Sequence, residues 1–396
     1  MRIVHTSDWH LGRQFGPYSL HADQEAFVDW FVAVVADRRA DLVVIAGDIY
    51  DRPIAPVESI ELFREAVRRL LATGATVAVI SGNHDGPNRL SPYGDLGDGG
   101  GLLIRGGYAG VGRVARLDLA DGPLDLVLLP FLEPAAAPDS FGAVTGAPDA
   151  PVAPVDLVER RRRRTHESVL ASAIASVRPQ LTARRSVAVA HAFVAGGGSS
   201  DSERQLVVGG TGEVPASLFA GFSYTALGHL HRPQDVGSPT VRYSGTPLAY
   251  SFSEDHAKSV TVVEVDPDGT CHIEVVPVDV GRAVCTLRGT MDELLDPARH
   301  TGAQRRFVRA IVTDRETVLD ARSKLGAVYP HLAEVRLVPD GLDPAVAVPG
   351  GSAAQELDPL EATRQFWAEV EGSVPPAEID ALLVDALGAV LDRSRS

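Results

Sequence analysis

Apolar residues along the chain fall into short runs, and helical patterns separate the first of these runs. Short runs that end at glycine or polar residues are typical of buried strands. The sequence predicts strands at 3–4, 42–46, 76–80, 126–129, 187–190 and 224–227, and helices at 24–36, 57–71 and 156–177. This alternation predicts an α/β core of packed sheets.

The pattern changes after residue 280. Short strand and helix patterns then predict a small α+β domain, and a Pro-, Gly- and Ala-rich stretch predicts a linker. Asp358, Pro359 and Glu361 form a helix start, and two apolar stripes at helical spacing follow. The expected domains are 1–280 for the core, 281–339 for the small domain, 340–355 for the linker and 356–396 for a helical hairpin.

Composition is that of an ordinary globular protein, with 396 residues, 45% of them hydrophobic and 22% charged. No apolar run approaches the roughly 18 residues that a membrane span needs, and Met1 is followed by a polar motif rather than a signal peptide. Cys271 and Cys285 are too few for a disulfide framework or a cysteine metal site. We therefore expect a cytoplasmic protein without a membrane partner.

The charge is unevenly distributed around a net value of −15. Acidic residues outnumber basic ones by ten in 1–280 and by eight in 340–396, whereas basic residues are in excess by three in 281–339. Affinity for nucleic acid comes mainly from Lys and Arg, so the whole chain is not built to coat a polyanion. The middle segment is the one whose charge suits such a surface.

Five of the predicted strands run directly into polar clusters. The clusters are Asp8-Trp9-His10, Gly47-Asp48, Gly82-Asn83-His84-Asp85, His191, and Gly228-His229-Leu230-His231. Ligands gather at the carboxyl ends of strands in α/β folds, so the clusters are expected to converge. One Asp-x-His or His-x-His pair is more often structural, but five clusters with the same placement indicate one site. Carboxylate, imidazole and amide ligands suit Mn²⁺, Fe²⁺ or Zn²⁺.

The order of these clusters resembles the calcineurin-like metallophosphoesterase superfamily, whose pattern is D-x-H, G-D-x-x-D, G-N-H-D/E, H and G-H-x-H. Within it, residues 1–12 (MRIVHTSDWHLG), 46–51 (AGDIYD) and 243–247 (YSGTP) resemble nucleases of the SbcD type. The resemblance implies two stacked β-sheets flanked by helices. It also implies a small α+β capping domain and a C-terminal helical hairpin.

The resemblance also implies site roles. Two divalent ions, most simply Mn²⁺, would be held by Asp8, His10, Asp48 and His231 and by Asp48, Asn83, His191 and His229. Such a pair of ions activates water for phosphodiester hydrolysis. His84 would lie beside the scissile phosphate, and Asp51 would orient His84 by a hydrogen bond. The alternative for Asp51 is an ordinary acid of a surface loop.

DNA contacts are harder to place. Arginines 160–164 suit nucleic acid, although a solvated helical face is the better interpretation of such a run. Arg242 and Tyr243, near Gly245, are the alternative contacts with the DNA backbone.

Partners also follow from the resemblance. It implies a homodimer within a heterotetramer, with the hairpin docked on an SbcC-like ATPase that acts with it in DNA repair and recombination in the nucleoid. The apolar stripes of the hairpin independently suit packing against a partner coiled coil. The alternative is docking on this chain's own core.

Three functions fit these observations. The first is a DNA exonuclease and endonuclease of the SbcD type. The second is another phosphodiesterase or phosphatase that acts on small phosphoesters, against which stand the G-N-H-D wording and the long C-terminal extension. The third is a metal-free binding module, which the complete set of ligand positions disfavours.

Overall fold

The structure, a computed structural model, describes 1–86, 90, 100–138, 140–141, 164–200, 203, 212–296, 298–316, 318–339, 364, 367, 375–376, 379–380 and 382–383. The chain forms two compact units. The first comprises Met1–Val312 with Val318–Leu337, and the second comprises Thr313–Thr317 with Val338–Ser396.

The strands are β1 (Arg2–Thr6), β2 (Gln14–Phe15), β3 (Tyr18–Ser19), β4 (Leu42–Ala46), β5 (Thr76–Ile80), β6 (Leu102–Arg105), β7 (Val114–Leu119), β8 (Gly122–Leu129), β9 (Arg185–His191), β10 (Phe193–Val194), β11 (Glu213–Val214), β12 (Tyr224–Gly228), β13 (Gln234–Val236), β14 (Ser238–Tyr243), β15 (Ser259–Val265), β16 (Cys271–Pro277), β17 (Val284–Gly289), β18 (Phe307–Val312) and β19 (Leu332–Leu337). The α-helices are α1 (His21–Asp37), α2 (Val57–Ala72), α3 (His166–Val177), α4 (Met291–Leu295) and α5 (Ala321–Val328).

Two six-stranded sheets form the core of the first unit. Their strand orders are β16-β15-β1-β4-β5-β6 and β13-β14-β12-β9-β8-β7. The central strands β1, β4, β5 and β6 of the first sheet are parallel, as are β8, β9, β12 and β14 of the second. Side chains such as Val44 and Ile80 pack against Leu126 and Val189 in one buried layer between the sheets. The predicted α/β sandwich is confirmed.

Helices cover the outer faces of both sheets. Phe27 and Phe31 of α1 and Phe63 of α2 pack on the first sheet around the buried Trp9. Ile174, with the rest of the apolar face of α3, packs on the second sheet. Each polar loop at the strand ends is therefore anchored on a fully packed layer.

The predicted helix over 156–177 begins later than its pattern indicated. Thr165 caps α3, because its hydroxyl accepts from the Ser168 amide at 3.1 Å while the Ser168 hydroxyl accepts from the Thr165 amide at 3.0 Å. This reciprocal cap closes the N-terminus of the helix. The helix therefore begins at His166, and Arg164 lies outside it. Arginines 160–163 lie outside the described residues.

Within the first unit, the elements of 284–312 and 318–337 form a small α+β fold. The strands β17, β18 and β19 make a parallel sheet, and Leu294 of α4 and Leu325 of α5 are buried against it. This fold contacts the core through Phe307, which stacks on Phe15 with ring centroids 4.6 Å apart. Arg282 pairs with the buried Asp23.

The predicted linker and most of the predicted hairpin lie outside the described residues. Arg364, Trp367, Ile379 and Leu382 are helical where the structure describes them. The Arg364 guanidinium pairs with the Asp380 carboxylate through two hydrogen bonds of 2.6 and 2.7 Å. Among the described helices, none has the length and apolar character required to cross a bilayer.

Candidate metal centre

The five polar clusters meet at one edge of the sandwich. The first sheet brings the carboxyl ends of β1, β4 and β5 there, and the second sheet brings those of β9 and β12, which pair in parallel. Six of the seven predicted ligands are buried, and Asn83 is half-buried. The structure thus assembles residues that are more than 220 positions apart.

Main-chain hydrogen bonds tie the ligand loops together. The Asp8 amide donates to the Gly47 carbonyl at 2.9 Å, and the His10 amide donates to the Asp48 carbonyl at 3.0 Å. The His229 amide donates to both carboxylate oxygens of Asp8, at 3.1 and 3.2 Å. Each bond joins a loop of one strand to a loop of another, so the ligand positions are fixed relative to each other by the backbone.

Three positions require glycine because neighbouring atoms lie too close to leave room for a Cβ atom. A Cβ atom on Gly82 would lie 2.0 Å from the Asp48 carboxylate, and one on Gly47 would lie 2.3 Å from the His191 ring. A Cβ atom on Gly228 would lie 1.9 Å from the Ala46 carbonyl oxygen. Any side chain at these positions would push a ligand or a strand end out of place.

The ligand atoms form two overlapping groups. Those of Asp8, His10 and His231 lie within 4.8 Å of one another, as do those of Asp8, Asp48 and His191. The Asp48 carboxylate lies between the groups, with one oxygen 3.7 Å from His10 Nε2 and 3.6 Å from His191 Nε2. This is the position that a bridging carboxylate needs.

Asn83 completes the second group. Its Oδ1 atom lies 3.0 Å from His191 Nε2 and 3.0 Å from His229 Nδ1. The other ring nitrogen of His191 is 2.9 Å from the Ala46 carbonyl oxygen, which can only accept and so requires a proton on Nδ1. The lone pair of a neutral His191 is therefore on Nε2, toward Asn83 and Asp48.

The donor set fits divalent ions. Both ring nitrogens of His10 are buried and have no hydrogen-bond partner among the described residues, although buried polar atoms normally have one. A metal ion between His10 and the adjacent carboxylates would satisfy one of these nitrogens. Two carboxylates, an amide oxygen and four imidazoles suit Mn²⁺, Fe²⁺ or Zn²⁺.

Burial controls the protonation of the site. It raises the pKa of Asp8 well above its ordinary value, and the neighbouring Asp48 raises it further. Burial lowers the pKa of His10 and of His229, and neighbouring imidazoles add to both shifts. Neutral imidazoles are the form that binds metal, and a cation would relieve the repulsion between the two carboxylates.

His84 lies beside the first group of ligands, next to His10. Its ring packs edge-on to that of His10 at 4.7 Å, and its main-chain amide donates to Asp48 at 2.8 Å. Its Nδ1 atom lies 2.9 Å from the main-chain carbonyl oxygen of Asp51. Because that oxygen only accepts, Nδ1 carries the proton and Nε2 is the atom available for substrate.

The predicted contact between Asp51 and His84 is present, but through a different group. The Asp51 carboxylate instead accepts from Arg13 at 2.9 Å. It also lies 3.7 Å from His10 Nδ1. The predicted hydrogen bond from His84 to Asp51 therefore uses the main-chain carbonyl, because the carboxylate is engaged by Arg13.

The predicted DNA contact at Tyr243 is wrong. Its side chain is fully buried, and its hydroxyl donates to the Ala192 carbonyl at 2.6 Å while accepting from the Val194 amide at 2.8 Å. Arg242 is largely covered, with 15% of its side chain exposed, and its guanidinium lies 3.4 Å from Asp235.

Two residues that the sequence interpretation missed lie behind His231. Glu254 is fully buried and accepts from His231 Nδ1 at 3.0 Å, and Lys258 pairs with the same carboxylate. A signal was present in the sequence, since the chain has two lysines against 35 arginines.

Asp85, beside His84, was grouped with the ligands without a role. It accepts from the Gly82, Ile49 and Tyr50 amides and fastens the β4 and β5 loops together.

Comparisons with known proteins give two family matches. Residues 1–145 match the model for calcineurin-like phosphoesterases. Residues 280–371 match the SbcD_C model, described as the type 5 capsule protein repressor C-terminal domain. Among solved structures, the chain is similar to TT1561 of Thermus thermophilus with 12% identity and a TM-score of 0.35, over 69% of this chain and 98% of that one. That similarity is too low to add to the assignment.

The two matches agree with the fold and with the donor set at the strand ends. The first match includes the loops of β1, β4 and β5, and the second covers the small α+β fold and part of the segment beyond it. The chain therefore has a calcineurin-like phosphoesterase domain, of the superfamily of metal-dependent hydrolases of phosphoester bonds, followed by an SbcD_C domain.

Proposed function

We propose that this protein hydrolyses DNA phosphodiester bonds as the nuclease subunit of an SbcCD-like complex in DNA repair and recombination. The observation that carries the proposal is the SbcD_C match over residues 280–371, which follows a phosphoesterase domain with every predicted ligand position present. The activity would be double-strand exonuclease and single-strand or hairpin endonuclease cleavage.

The proposed ligands of the two ions are those that the structure brings together. One ion takes Asp8, His10, Asp48 and His231, and the other takes Asp48, Asn83, His191 and His229. Mn²⁺ is the proposed ion in both positions. When bound, such ions activate water and polarise the phosphoester oxygens.

The protein's own groups then position and protonate. The Asp48 carboxylate lies between the two groups of ligands. It also accepts a hydrogen bond from the His84 amide, which fixes the loop after β5. The Asp51 carbonyl holds the His84 ring, so that Nε2 faces the place of the leaving oxygen. In its doubly protonated form, which has a second proton on Nε2, His84 is proposed to donate that proton to the leaving oxygen or to stabilise its charge.

The small α+β fold and the C-terminal segment have proposed partners. Residues 281–339 carry a basic excess and are proposed to help hold DNA at the site. Residues 356–396 are proposed to dock on an SbcC-like ATPase, and the 64% exposure of the Leu382 side chain supports an apolar docking face. A homodimer within a heterotetramer is the proposed assembly.

The substrate is tested with metal-stripped protein to which Mn²⁺ is returned. Hairpin DNA, linear double-stranded DNA, bis-p-nitrophenyl phosphate and a phosphoserine peptide are compared in one assay series. We expect Mn²⁺-dependent cleavage of DNA and of the generic diester, and none of the peptide. Cleavage of small phosphoesters with intact DNA would replace the nuclease proposal by the alternative phosphodiesterase or phosphatase, and Asp48→Asn is the inactive control.

The partner is tested by deleting 356–396. The deletion should abolish co-purification with the ATPase while cleavage of single-stranded DNA continues. Leu382→Asp provides a point variant that removes the apolar contact and keeps the rest of the segment. Unchanged co-purification of both variants would contradict the docking proposal.

A further inference from the structure

Glu254 and Lys258 form a buried ion pair directly behind His231. The Glu254 side chain is inaccessible to solvent, and one of its oxygens lies 3.0 Å from His231 Nδ1. The second oxygen accepts from the Thr246 hydroxyl at 3.0 Å and from the Lys258 ammonium. Lys258 also donates to the Thr246 hydroxyl at 2.7 Å, and 10% of its side chain is exposed.

The contact with Glu254 determines which nitrogen of His231 carries a proton. A carboxylate only accepts hydrogen bonds, so His231 Nδ1 must donate. In a neutral imidazole the lone pair is then on Nε2. A metal ligand must offer a lone pair, and carboxylates that accept from the other ring nitrogen are a common means of fixing it.

Lys258 determines which atoms of residue 254 can face it and which can face His231. An ammonium group has donors and no acceptor, so whatever atom of residue 254 faces Lys258 must be an acceptor. The Thr246 hydroxyl beside it can donate or accept. The direction of the hydrogen bond between residue 254 and His231 is thus coupled to the charge of Lys258.

We propose that Glu254, held by Lys258, is the positioning residue that fixes the Nδ1-protonated tautomer of His231 and directs the Nε2 lone pair toward the metal site. The inference rests on the ligand role proposed for His231. It does not depend on DNA as the substrate, because its readout is metal binding.

The deciding variant is Glu254→Gln, which changes volume very little. Lys258 can only donate, so the new amide must turn its oxygen toward Lys258 and its NH₂ group toward His231 Nδ1. Nδ1 then has to accept, which moves the ring proton to Nε2 and removes the lone pair from the metal side. We expect affinity for one of the two Mn²⁺ ions to fall about 10- to 100-fold, as for lost outer contacts of metal ligands.

The double variant Glu254→Gln with Lys258→Met makes the opposite prediction. Without the ammonium, the Thr246 hydroxyl can accept from the amide NH₂, and the amide oxygen can turn to His231. Nδ1 is protonated again, so Mn²⁺ affinity should return to near the wild-type value. If the two residues were only packing elements, the second substitution would add damage and could not restore binding.

Titration calorimetry with Mn²⁺ and metal analysis after dialysis measure the result, and circular dichroism confirms folding. Lys324→Met, at an exposed lysine of α5, is the matched control and should bind both ions normally. His231→Ala serves as the reference and should lose the same ion as Glu254→Gln. Wild-type binding by His231→Ala would refute the ligand assignment itself rather than the tautomer argument.

Two results would overturn the proposal while His231→Ala behaves as expected. One is wild-type Mn²⁺ affinity in Glu254→Gln, and the other is a double variant that binds no better than the single one. If Glu254→Gln does not fold, nitrogen NMR of the His231 ring in the wild-type protein decides. A proton on Nδ1 supports the proposal, and a proton on Nε2 contradicts it.

Discussion

Replacement of His84 tests whether this residue is a proton donor or a metal ligand. The ligand atoms of His10, Asp48 and His84 also lie within 4.8 Å of one another, so distance alone allows either role. The hydrogen bond between His84 Nδ1 and the Asp51 carbonyl leaves Nε2 as the one ring atom for chemistry. His84→Ala removes that atom, whereas His84→Asn keeps a short polar side chain.

The structure sets different magnitudes for stability and for catalysis. His84→Ala removes one side-chain hydrogen bond, worth about 0.5 to 1.5 kcal/mol. The main-chain bond from residue 84 to Asp48 persists in any variant, so Asp48 keeps its place. General acid catalysis contributes about 10²- to 10⁴-fold in rate, or roughly 3 to 5 kcal/mol. We therefore expect a folded protein with two bound ions and a rate lower by that factor.

Three measurements check this expectation on the same sample. Metal analysis gives the stoichiometry, urea unfolding gives the stability, and steady-state cleavage of bis-p-nitrophenyl phosphate gives kcat. The Asn variant should retain metal and lose rate as Ala does. Loss of one ion in both variants would show that His84 is a ligand, and a rate within tenfold of wild type would remove it from proton transfer.

Other predictions follow from burial and close contact. Burial lowers the pKa of His5 to about 3, although its bond to a main-chain carbonyl opposes the shift. The stability contributed by neutral His5 is complete above the unfolded pKa of about 6.5 and is lost as pH falls toward 3. The unfolding free energy of the wild-type protein should therefore fall between pH 7 and pH 5. His5→Gln should make this fall smaller by about 2 kcal/mol, as measured by urea unfolding with a chelator present. Gly82→Ala should lose bound metal, because its Cβ would lie 2.0 Å from the bridging carboxylate. Gly100→Ala, with no atom within 4 Å, should bind metal normally in the same metal analysis. Arg282→Gln leaves the buried Asp23 without its guanidinium partner, which should cost about 3 kcal/mol and speed proteolysis of 281–337.

The sequence was sufficient for the core because its signals are local. The predicted runs 42–46 and 76–80 coincide with β4 and β5 to the residue, since apolar runs closed by glycine have few alternative structures. The strand-end placement of Asp8 and Asp48 was also local, and parallel pairing then brought them together. The predicted start of α3 was wrong because Thr165 and Ser168 form a reciprocal cap, which makes the helix begin at His166.

The errors at the site come from side-chain direction. Arg242 and Tyr243 were assigned one role, yet consecutive residues of a strand face opposite sides, and Tyr243 lies in the core of the second sheet. The Asp51 carboxylate and carbonyl cannot be told apart in a motif. Glu254 was missed because its partner His231 is 23 positions away and joins it only after folding.

The backbone at the ligands shows that the site is organised by the fold itself. Asp8, His10, Asp48 and His229 all have positive φ angles, between 43° and 113°. Such conformations cost about 1 to 3 kcal/mol each in residues other than glycine and persist only where the surroundings determine them. The surroundings here are main-chain bonds such as those from Asp8 to Gly47 and from His10 to Asp48. The bonds from Asp8 and His10 involve no side-chain ligand atom, so the fold itself sets the directions of these two ligands, whereas the His229 amide is held by the Asp8 carboxylate.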